Sequence, residues 1–148
     1  QGLPMFGACF GHQAIAMALG GRVGPNPNGW VFGLTHVDIT HKTSWMQGLP
    51  MSLKQYGAHI EQVIELPDGA EVLSSSTACP IAGFHIADKV YTTQNHPEIS
   101  PDFMATLATE YAPKLPADVA AIAKASLTDT ADNTVYANSI AQFFENAP

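Results

Sequence analysis

The stretch Gly7-Ala8-Cys9-Phe10-Gly11-His12-Gln13 is the key to the architecture, because it places a cysteine between two glycines where an apolar run meets a helical pattern. The residues that follow, 14–19, are rich in alanine and favour a helix. A strand that turns abruptly into a helix holds the side chain at the turn in an exposed, strained pose, and flanking glycines let the two elements pass closely. Amide groups at a helix N-terminus also favour the thiolate form of cysteine. The stretch therefore indicates either a nucleophile at Cys9 or a buried structural cysteine in a glycine-flanked turn.

A nucleophilic cysteine needs a base, and the stretch Gln94-Asn95-His96-Pro97-Glu98 offers an imidazole with a carboxylate beside it. The stretch follows a strand-like run at 90–93, so we expect His96 at the carboxyl end of a strand, where sites in open α/β sheets are built. The proline restricts its neighbours and lets Glu98 fold back onto the imidazole. The alternative is that Glu98 merely opens the helix predicted to begin at Ser100, and that alternative is compatible with a catalytic role.

The elbow at 7–13, followed by His96-Pro97-Glu98, resembles the class I glutamine amidotransferases, the group with a Cys-His-Glu triad. The segment Asn26-Pro27-Asn28-Gly29-Trp30 resembles part of the stand-alone members related to the amidotransferase domain of GMP synthase. The segment His59-Ile60-Glu61-Gln62-Val63 is similar to a loop beside their substrate pocket. The tail at 126–144 is similar to their closing helices, so the resemblance covers essentially the whole chain.

The resemblance implies a glutaminase without a cofactor, in which glutamine is cleaved to glutamate and ammonia through a γ-glutamyl thioester on Cys9. His96, oriented by Glu98, would carry the protons, and the ammonia would pass to an acceptor synthetase. The resemblance also places the Phe10 N–H in the oxyanion hole. It places three further residues beside the bound glutamine: Gln13, His59 and Glu61. Alternatives are a surface histidine in the case of His59, a γ-glutamyl peptidase or hydrolase with the same triad, and a non-catalytic subunit that retains the motifs.

The sequence departs from the family pattern in two places. Family members carry several strands and helices before the elbow, including a glycine loop that supplies a second oxyanion-hole N–H, whereas this chain starts eight residues before Cys9. We therefore expect residues 1–148 to be the C-terminal portion of a single amidotransferase domain, with the N-terminal segment of that domain as its partner. The pair Gln94-Asn95 stands where members often have an aromatic pair, and we expect it to alter the pocket wall.

The predicted fold class is α/β, a three-layer, flavodoxin-like sandwich around a mostly parallel sheet from which the N-terminal strands are absent. Alternating and short apolar runs predict five strands, at 34–40, 51–56, 70–75, 81–87 and 90–94. Helical spacing and capping signals predict four helices, at 14–19, from residue 100 onward, at 116–126 and at 133–145.

Composition narrows the classes of function. A hydrophobic content of 46% with 13% charged residues is typical of a folded domain and argues against disorder. The net charge of −7 and only six Lys and Arg argue against a nucleic-acid partner, because phosphate binding needs clustered basic residues. No apolar run reaches the length of a membrane span, so we expect no membrane partner and a cytoplasmic location.

Cysteine and histidine usage bears on redox state and metal binding. Two cysteines suit a reducing compartment, and Cys79, ahead of an apolar run, is expected to be a core thiol. A metal site is not expected, because His36 and His41 fall on opposite faces of a predicted strand. The chain also lacks the C-x-x-C and H-E-x-x-H motifs of common zinc sites.

Overall fold

The fold is known from a computed structural model, which describes residues 2–146. Its strands are β1 (Met5–Ala8), β2 (Arg22–Pro25), β3 (Val31–Ile39), β4 (Ser52–His59), β5 (Glu61–Glu65), β6 (Glu71–Ser75), β7 (Gly83–Ile86) and β8 (Val90–Thr93). Its α-helices are α1 (Phe10–Ala18), α2 (Pro101–Tyr111), α3 (Ala117–Ser126) and α4 (Asn133–Glu145). Short 3₁₀ turns lie at Ser44–Met46 and Ala112–Lys114.

Six strands form one sheet in the order β1-β8-β7-β6-β3-β4, and β2 and β5 form a separate antiparallel ribbon. The prediction of an α/β fold is confirmed. In the part of the chain that the structure describes, however, the sheet is mixed, with β1 and β8 parallel and its other strand pairs antiparallel. The reason is the length of the connections: a short turn such as 87–89 can join only antiparallel neighbours, whereas a parallel pair needs a crossover.

The alternation of side chains along β8 gives the molecule its three layers. Val90 packs in a cluster with α1, and the Thr92 hydroxyl lies 2.8 Å from Nδ1 of His12 on the same helix. Tyr91, between them, packs against α4, and its hydroxyl lies 2.9 Å from that of Ser139. Because successive strand residues point to opposite faces, α1 and α4 cover opposite sides of the sheet.

Helices α2 and α3 pack on β3 and β4 through a second apolar cluster, centred on Phe32, Tyr56, Ile99, Met104 and Ala123. Helix α2 begins as predicted, with the Ser100 hydroxyl accepting a hydrogen bond of 3.2 Å from the Phe103 amide and Pro101 in the first turn. This cap fixes the point at which the chain leaves the His96 segment.

One local prediction was wrong, and one pair of strands was not foreseen. Helix α1 begins at Phe10 rather than at residue 14, because the chain enters the helix directly after Cys9. The ribbon of β2 and β5 was not predicted, since β2 contains a glycine and a proline, which weaken any strand signal. Among the described helices, none combines the length and the apolar character needed to cross a membrane.

Candidate active site

Cys9 occupies a strained turn between β1 and α1. Its backbone has φ 46° and ψ −104°, a conformation that a residue with a side chain rarely adopts. The turn is held on both sides: the Cys9 amide donates to the Thr93 carbonyl at 2.9 Å, and the Gln13 amide donates to the Cys9 carbonyl at 3.1 Å. Strain of this kind persists only where its surroundings enforce it, and it is concentrated at functional sites.

The two glycines of the elbow are not equivalent. A Cβ on Gly7 would lie 2.6 Å from the backbone carbon of Gly11 and 2.7 Å from the side chain of Ile15, so β1 and α1 can cross only where Gly7 stands. Beyond its chain neighbours and the backbone of its own helix, a Cβ on Gly11 would meet no described atom within 4 Å. The sequence interpretation, in which both glycines give clearance, therefore holds for Gly7 alone within residues 2–146.

His96 is positioned by three parts of the fold. It follows β8, and its amide donates to the Tyr56 carbonyl of β4 at 2.9 Å, which closes an isolated bridge between the two segments. This bridge forms because the sheet curls until β4 meets the chain beyond β8. The Nδ1 atom of His96 lies 2.6 Å from Oε1 of Glu98. The side chain of His96 is 18% exposed and that of Glu98 is 59% exposed, so the carboxylate faces the solvent and the imidazole lies inside.

The environment of His96 favours its charged form. Burial alone would lower the pKa of His96, but interactions with Cys9 and Glu98 outweigh it and raise the pKa from 6.5 to about 9. Burial opposes the ionisation of Glu98 as well, yet its hydrogen bond with His96 lowers the pKa of this carboxyl. The raised pKa therefore favours the imidazolium form of His96 at neutral pH.

Gln94 is a site residue whose role the sequence interpretation missed. Its Nε2 atom lies 3.6 Å from Sγ of Cys9, and its Oε1 accepts a hydrogen bond of 3.1 Å from Nε2 of Gln13. Gln94 and Asn95 are buried, at 0% and 3% exposure, so they lie beneath the site rather than on the pocket wall. The sequence signal for this role was spacing, because Gln94 follows Thr92 by two residues and thus shares the face of β8 that carries α1.

Gln13, His59 and Glu61 converge on a single backbone carbonyl. Nε2 of Gln13 donates to the Glu61 carbonyl at 2.8 Å, and Nδ1 of His59 donates to the same oxygen at 3.0 Å. The carboxylate of Glu61 is exposed, so Glu61 contributes its main chain to this group. In place of the predicted loop, the structure has a one-residue turn at Ile60 between β4 and β5.

His59 is a neutral imidazole. Burial lowers its pKa to about 4, and the nearby charge of His96 acts in the same direction. Because Nδ1 donates to the Glu61 carbonyl, the proton of the neutral ring is on Nδ1 and Nε2 carries a lone pair. His59 can therefore accept a hydrogen bond from a ligand in the adjacent cleft.

The Asn-Pro-Asn-Gly-Trp segment supports this corner of the site. The Asn26 amide donates to the Ile60 carbonyl at 2.7 Å, and Gly29, at φ 79°, closes a tight turn by donating to the Asn26 carbonyl. The positive φ explains the glycine. The turn places Trp30 in the wall of a cleft beside Cys9 and fixes the position of Ile60.

Cys9 lies where two clefts meet. The larger, about 680 Å³, is lined by Cys9, Ala58, His96, Glu98, Ile99, Ser100, Phe103 and Leu107. The smaller, about 200 Å³, is lined by Cys9, Phe10, Gln13, Trp30, Ala58, His59, Ile60 and Glu61. Sγ of Cys9 is thus open to a small polar ligand on one side and to a larger group on the other.

Two other reactive side chains are structural. Cys79 is 2% exposed, as the sequence predicts for a core thiol, and burial raises its pKa to about 12. His12 is fully buried against Phe84, and burial lowers its pKa to about 3. Neither has the environment of a nucleophile or a base. Away from both clefts, the described residues contain one group able to hold a metal ion, formed by His41, Glu71 and His85.

A strained cysteine beside an imidazole–carboxylate pair is the arrangement found in enzymes that use a cysteine nucleophile with a histidine base. The chain belongs to the class I glutamine amidotransferase family, whose description, "Glutamine amidotransferase class-I", matches residues 1–108.

Individual relatives are consistent with this family. Over 99 residues the chain is 34% identical to a subunit of the glutamine-hydrolyzing GMP synthase of Thermococcus kodakarensis, a match covering 66% of this chain and 52% of the relative. It is 33% identical over 106 residues to γ-glutamyl peptidase 3 of Arabidopsis thaliana, covering 68% of this chain and 43% of the relative. The chain therefore spans about half the length of these relatives. Its fold is similar to that of a glutamine amidotransferase from Methylobacillus flagellatus, with a TM-score of 0.75 and 20% identity over 98% of this chain and 64% of that structure.

Proposed function

We propose that this chain carries a glutaminase centre, with Cys9 as the nucleophile, His96 as the proton carrier and Glu98 as its orienting group. The observation that carries the proposal is geometric: a strained turn holds Cys9 in the same cleft as His96, and Nδ1 of His96 lies 2.6 Å from Oε1 of Glu98. A cysteine beside a histidine that is itself oriented by a carboxylate is the arrangement that activates a nucleophile for attack on an amide.

In the acylation step, the Cys9 thiolate is the nucleophile and the His96 imidazolium is the proton donor. The thiolate attacks the side-chain amide carbon of glutamine, and the developing oxyanion accepts a hydrogen bond from the Phe10 amide, which lies in the first turn of α1 and has no intrahelical partner. The imidazolium of His96 gives its proton to the leaving nitrogen as the carbon–nitrogen bond breaks. Ammonia departs, and a γ-glutamyl thioester remains on Cys9.

Deacylation reverses the role of the histidine. His96, now neutral, takes a proton from water as the water attacks the thioester carbonyl, and glutamate leaves with regeneration of the thiolate. Glu98 stabilises the imidazolium that forms and holds Nδ1 toward itself, so that the other ring nitrogen serves the reaction.

The smaller cleft is the proposed site for the amino-acid end of glutamine. Three groups that line this cleft support the proposal: the Nε2 lone pair of His59, the side chain of Gln13 and the main chain of Glu61. We propose an ammonia-accepting synthetase as the partner, because relatives of this chain are named as subunits of glutamine-hydrolyzing GMP synthases. A thiolate mechanism suits a reducing compartment, and we propose a cytoplasmic location.

The second candidate function is hydrolysis of γ-glutamyl peptides. The larger cleft, walled by Phe103 and Leu107, has room for a leaving group bigger than ammonia, and one relative is a γ-glutamyl peptidase. The two reactions share the acyl-enzyme and differ only in the amine that departs.

The test measures glutamate release from glutamine and from a γ-glutamyl dipeptide, using the full-length protein. We expect turnover of glutamine to be lost in Cys9→Ala and retained in Cys79→Ala, which removes the buried thiol as a matched control. A diazo-ketone analogue of glutamine should label Cys9 and spare Cys79. Full activity in Cys9→Ala, or labelling confined to Cys79, would refute the mechanism, and cleavage of the dipeptide alone would select the second candidate.

A further inference from the structure

A group of three potential metal ligands lies on the sheet, outside both clefts. Glu71 of β6 and His85 of β7 are direct partners in the antiparallel register, so their side chains leave the same face at neighbouring positions. His41 follows β3, and its amide donates to the Leu73 carbonyl of β6 at 3.3 Å. One ligand atom from each of the three lies within 4.8 Å of the others.

The imidazole of His85 has the orientation that is usual for a metal-binding histidine. Its Nδ1 donates to the Ala87 carbonyl at 3.1 Å, which places the proton of the neutral ring on Nδ1 and a lone pair on Nε2. This Nε2 atom is shielded from solvent and has no hydrogen-bond partner among the described residues. A shielded, unmatched polar atom is costly, and a ring whose other nitrogen is held by a carbonyl is the usual arrangement around a bound metal.

The neighbouring rings fix the direction of this imidazole. The ring of His41 is parallel to that of His85, with an interplanar angle of 4° and centroids 5.7 Å apart. The indole of Trp45 meets His85 edge-on, with centroids 6.2 Å apart. His85 is thus packed against the buried ring of Trp45, whereas His41 and Glu71 are exposed and able to adjust.

Charge and distance are compatible with a cation. Glu71 brings a carboxylate, and the ammonium of Lys42, the residue next to His41, donates to the Leu49 carbonyl. Zinc bonds of about 2.0–2.2 Å bring neighbouring ligand atoms to about 3.5 Å, so exposed side chains need to move by about 1 Å to close the shell.

We propose that His41, Glu71 and His85 bind a divalent cation of the zinc type through two imidazole nitrogens and one carboxylate oxygen, with water completing the shell. Imidazole and carboxylate together suit Zn²⁺ and its neighbours in the first transition series. The ion joins the segment after β3 to the β6–β7 pair. It is separate from the proposed chemistry, because none of the three ligands lines a cleft at Cys9.

No sequence motif marks this group, because its members come from three separate segments of the chain. The spacing of His36 and His41 argues against a site shared by those two, and His36 is indeed outside the group. His36 is exposed on β3 and is therefore a matched control for His41.

The experiment is a calorimetric titration of the full-length protein with ZnCl₂, carried out in the Cys9→Ala background so that the reactive thiol cannot bind the ion. We expect one equivalent to bind, and His41→Gln and Glu71→Gln each to weaken binding by at least about tenfold, the loss typical of removing even a supporting group. His36→Gln should bind as the background protein does. Zn²⁺ should raise the melting temperature of the background and His36→Gln proteins and leave that of His41→Gln unchanged.

Correct folding of the variants is checked by their melting temperatures without metal, which we expect to match because His41, Glu71 and His36 are exposed. Absence of binding in the Cys9→Ala background would overturn the proposal. Equal affinity in His41→Gln and His36→Gln would overturn it as well, since the ion would then lie elsewhere. A shift of the His85 Nε2 resonance in ¹⁵N spectra on adding Zn²⁺ supports the site independently, and an unshifted Nε2 with bound metal excludes it.

Discussion

The coupling between Cys9 and His96 gives a prediction whose size follows from the structure. The rise in the pKa of His96 from 6.5 to about 9 corresponds to roughly 3 kcal/mol in favour of the imidazolium. Burial acts against the charge, so Cys9 and Glu98 together supply more than this amount, and Cys9 supplies the larger part. In Cys9→Ala the burial remains and the larger favourable interaction is removed. We therefore expect the proton affinity of His96 to fall more than tenfold, or by more than about 1.4 kcal/mol.

The same coupling makes stability depend on pH. A histidine whose pKa is higher in the folded state stabilises the fold fully below its unfolded pKa, and this contribution is lost as the pH rises through the folded value. For His96 the loss spans the interval from about 6.5 to about 9. This is the contribution of His96 alone, so the proton affinity of His96, rather than the stability of the whole protein, is compared between wild type and Cys9→Ala.

The assay is an NMR titration of the histidine Cε1–H signals through this pH interval. His12 and His59 serve as internal references, because their lowered pKa values, about 3 and about 4, keep them neutral throughout the titration. Cys79→Ala should leave the titration of His96 unchanged. If His96 titrates at the same pH in Cys9→Ala and in wild type, the thiol does not interact with the imidazole and the proposed pair is refuted.

Two further predictions concern packing and hydrogen bonding around Cys9. Gly7→Ala should lower the free energy of unfolding by about 1–3 kcal/mol or more, because its Cβ would meet backbone 2.6 Å away. Gly11→Ala should be neutral or slightly stabilising, because Gly11 stands at an open helical position. Denaturant titrations measure both variants, and equal effects would contradict the crossing geometry of β1 and α1. Gln94→Leu removes the hydrogen bond from Nε2 to Sγ of Cys9, and an ordinary hydrogen bond is worth about 0.5–1.5 kcal/mol, so kcat/KM for glutamine should fall about 2- to 10-fold. The control is Gln55→Leu, because the side chain of Gln55 is fully buried and its two polar atoms have no partner in the described structure. This variant should retain turnover, and its melting temperature should be no lower than that of wild type. An equal loss of kcat/KM in both variants would assign Gln94 a packing role.

The local features of the candidate site could be predicted for this protein from neighbouring residues alone. The glycine before Cys9, the cysteine at the turn and the helix after it are all consequences of a few adjacent residues, because an elbow is a local backbone conformation. The spacing of His96 and Glu98 is equally local, and the structure has their side chains 2.6 Å apart. The α/β class was also readable, since it depends on the order of strand and helix patterns along the chain.

Which distant segments meet was settled by the packing of the whole chain. Gln94 contacts Cys9 across 85 positions of sequence, and the bridge between His96 and Tyr56 exists only because the sheet curls back on itself. Strand register placed Glu71 opposite His85, a pairing that no spacing in the chain encodes. The direction of the sheet's pairs depends on the connections as well as on the packing, since a strand's own side-chain alternation is the same beside a parallel neighbour and an antiparallel one. Side-chain pattern fixes which face of an element is buried, and tertiary packing fixes what that face is buried against.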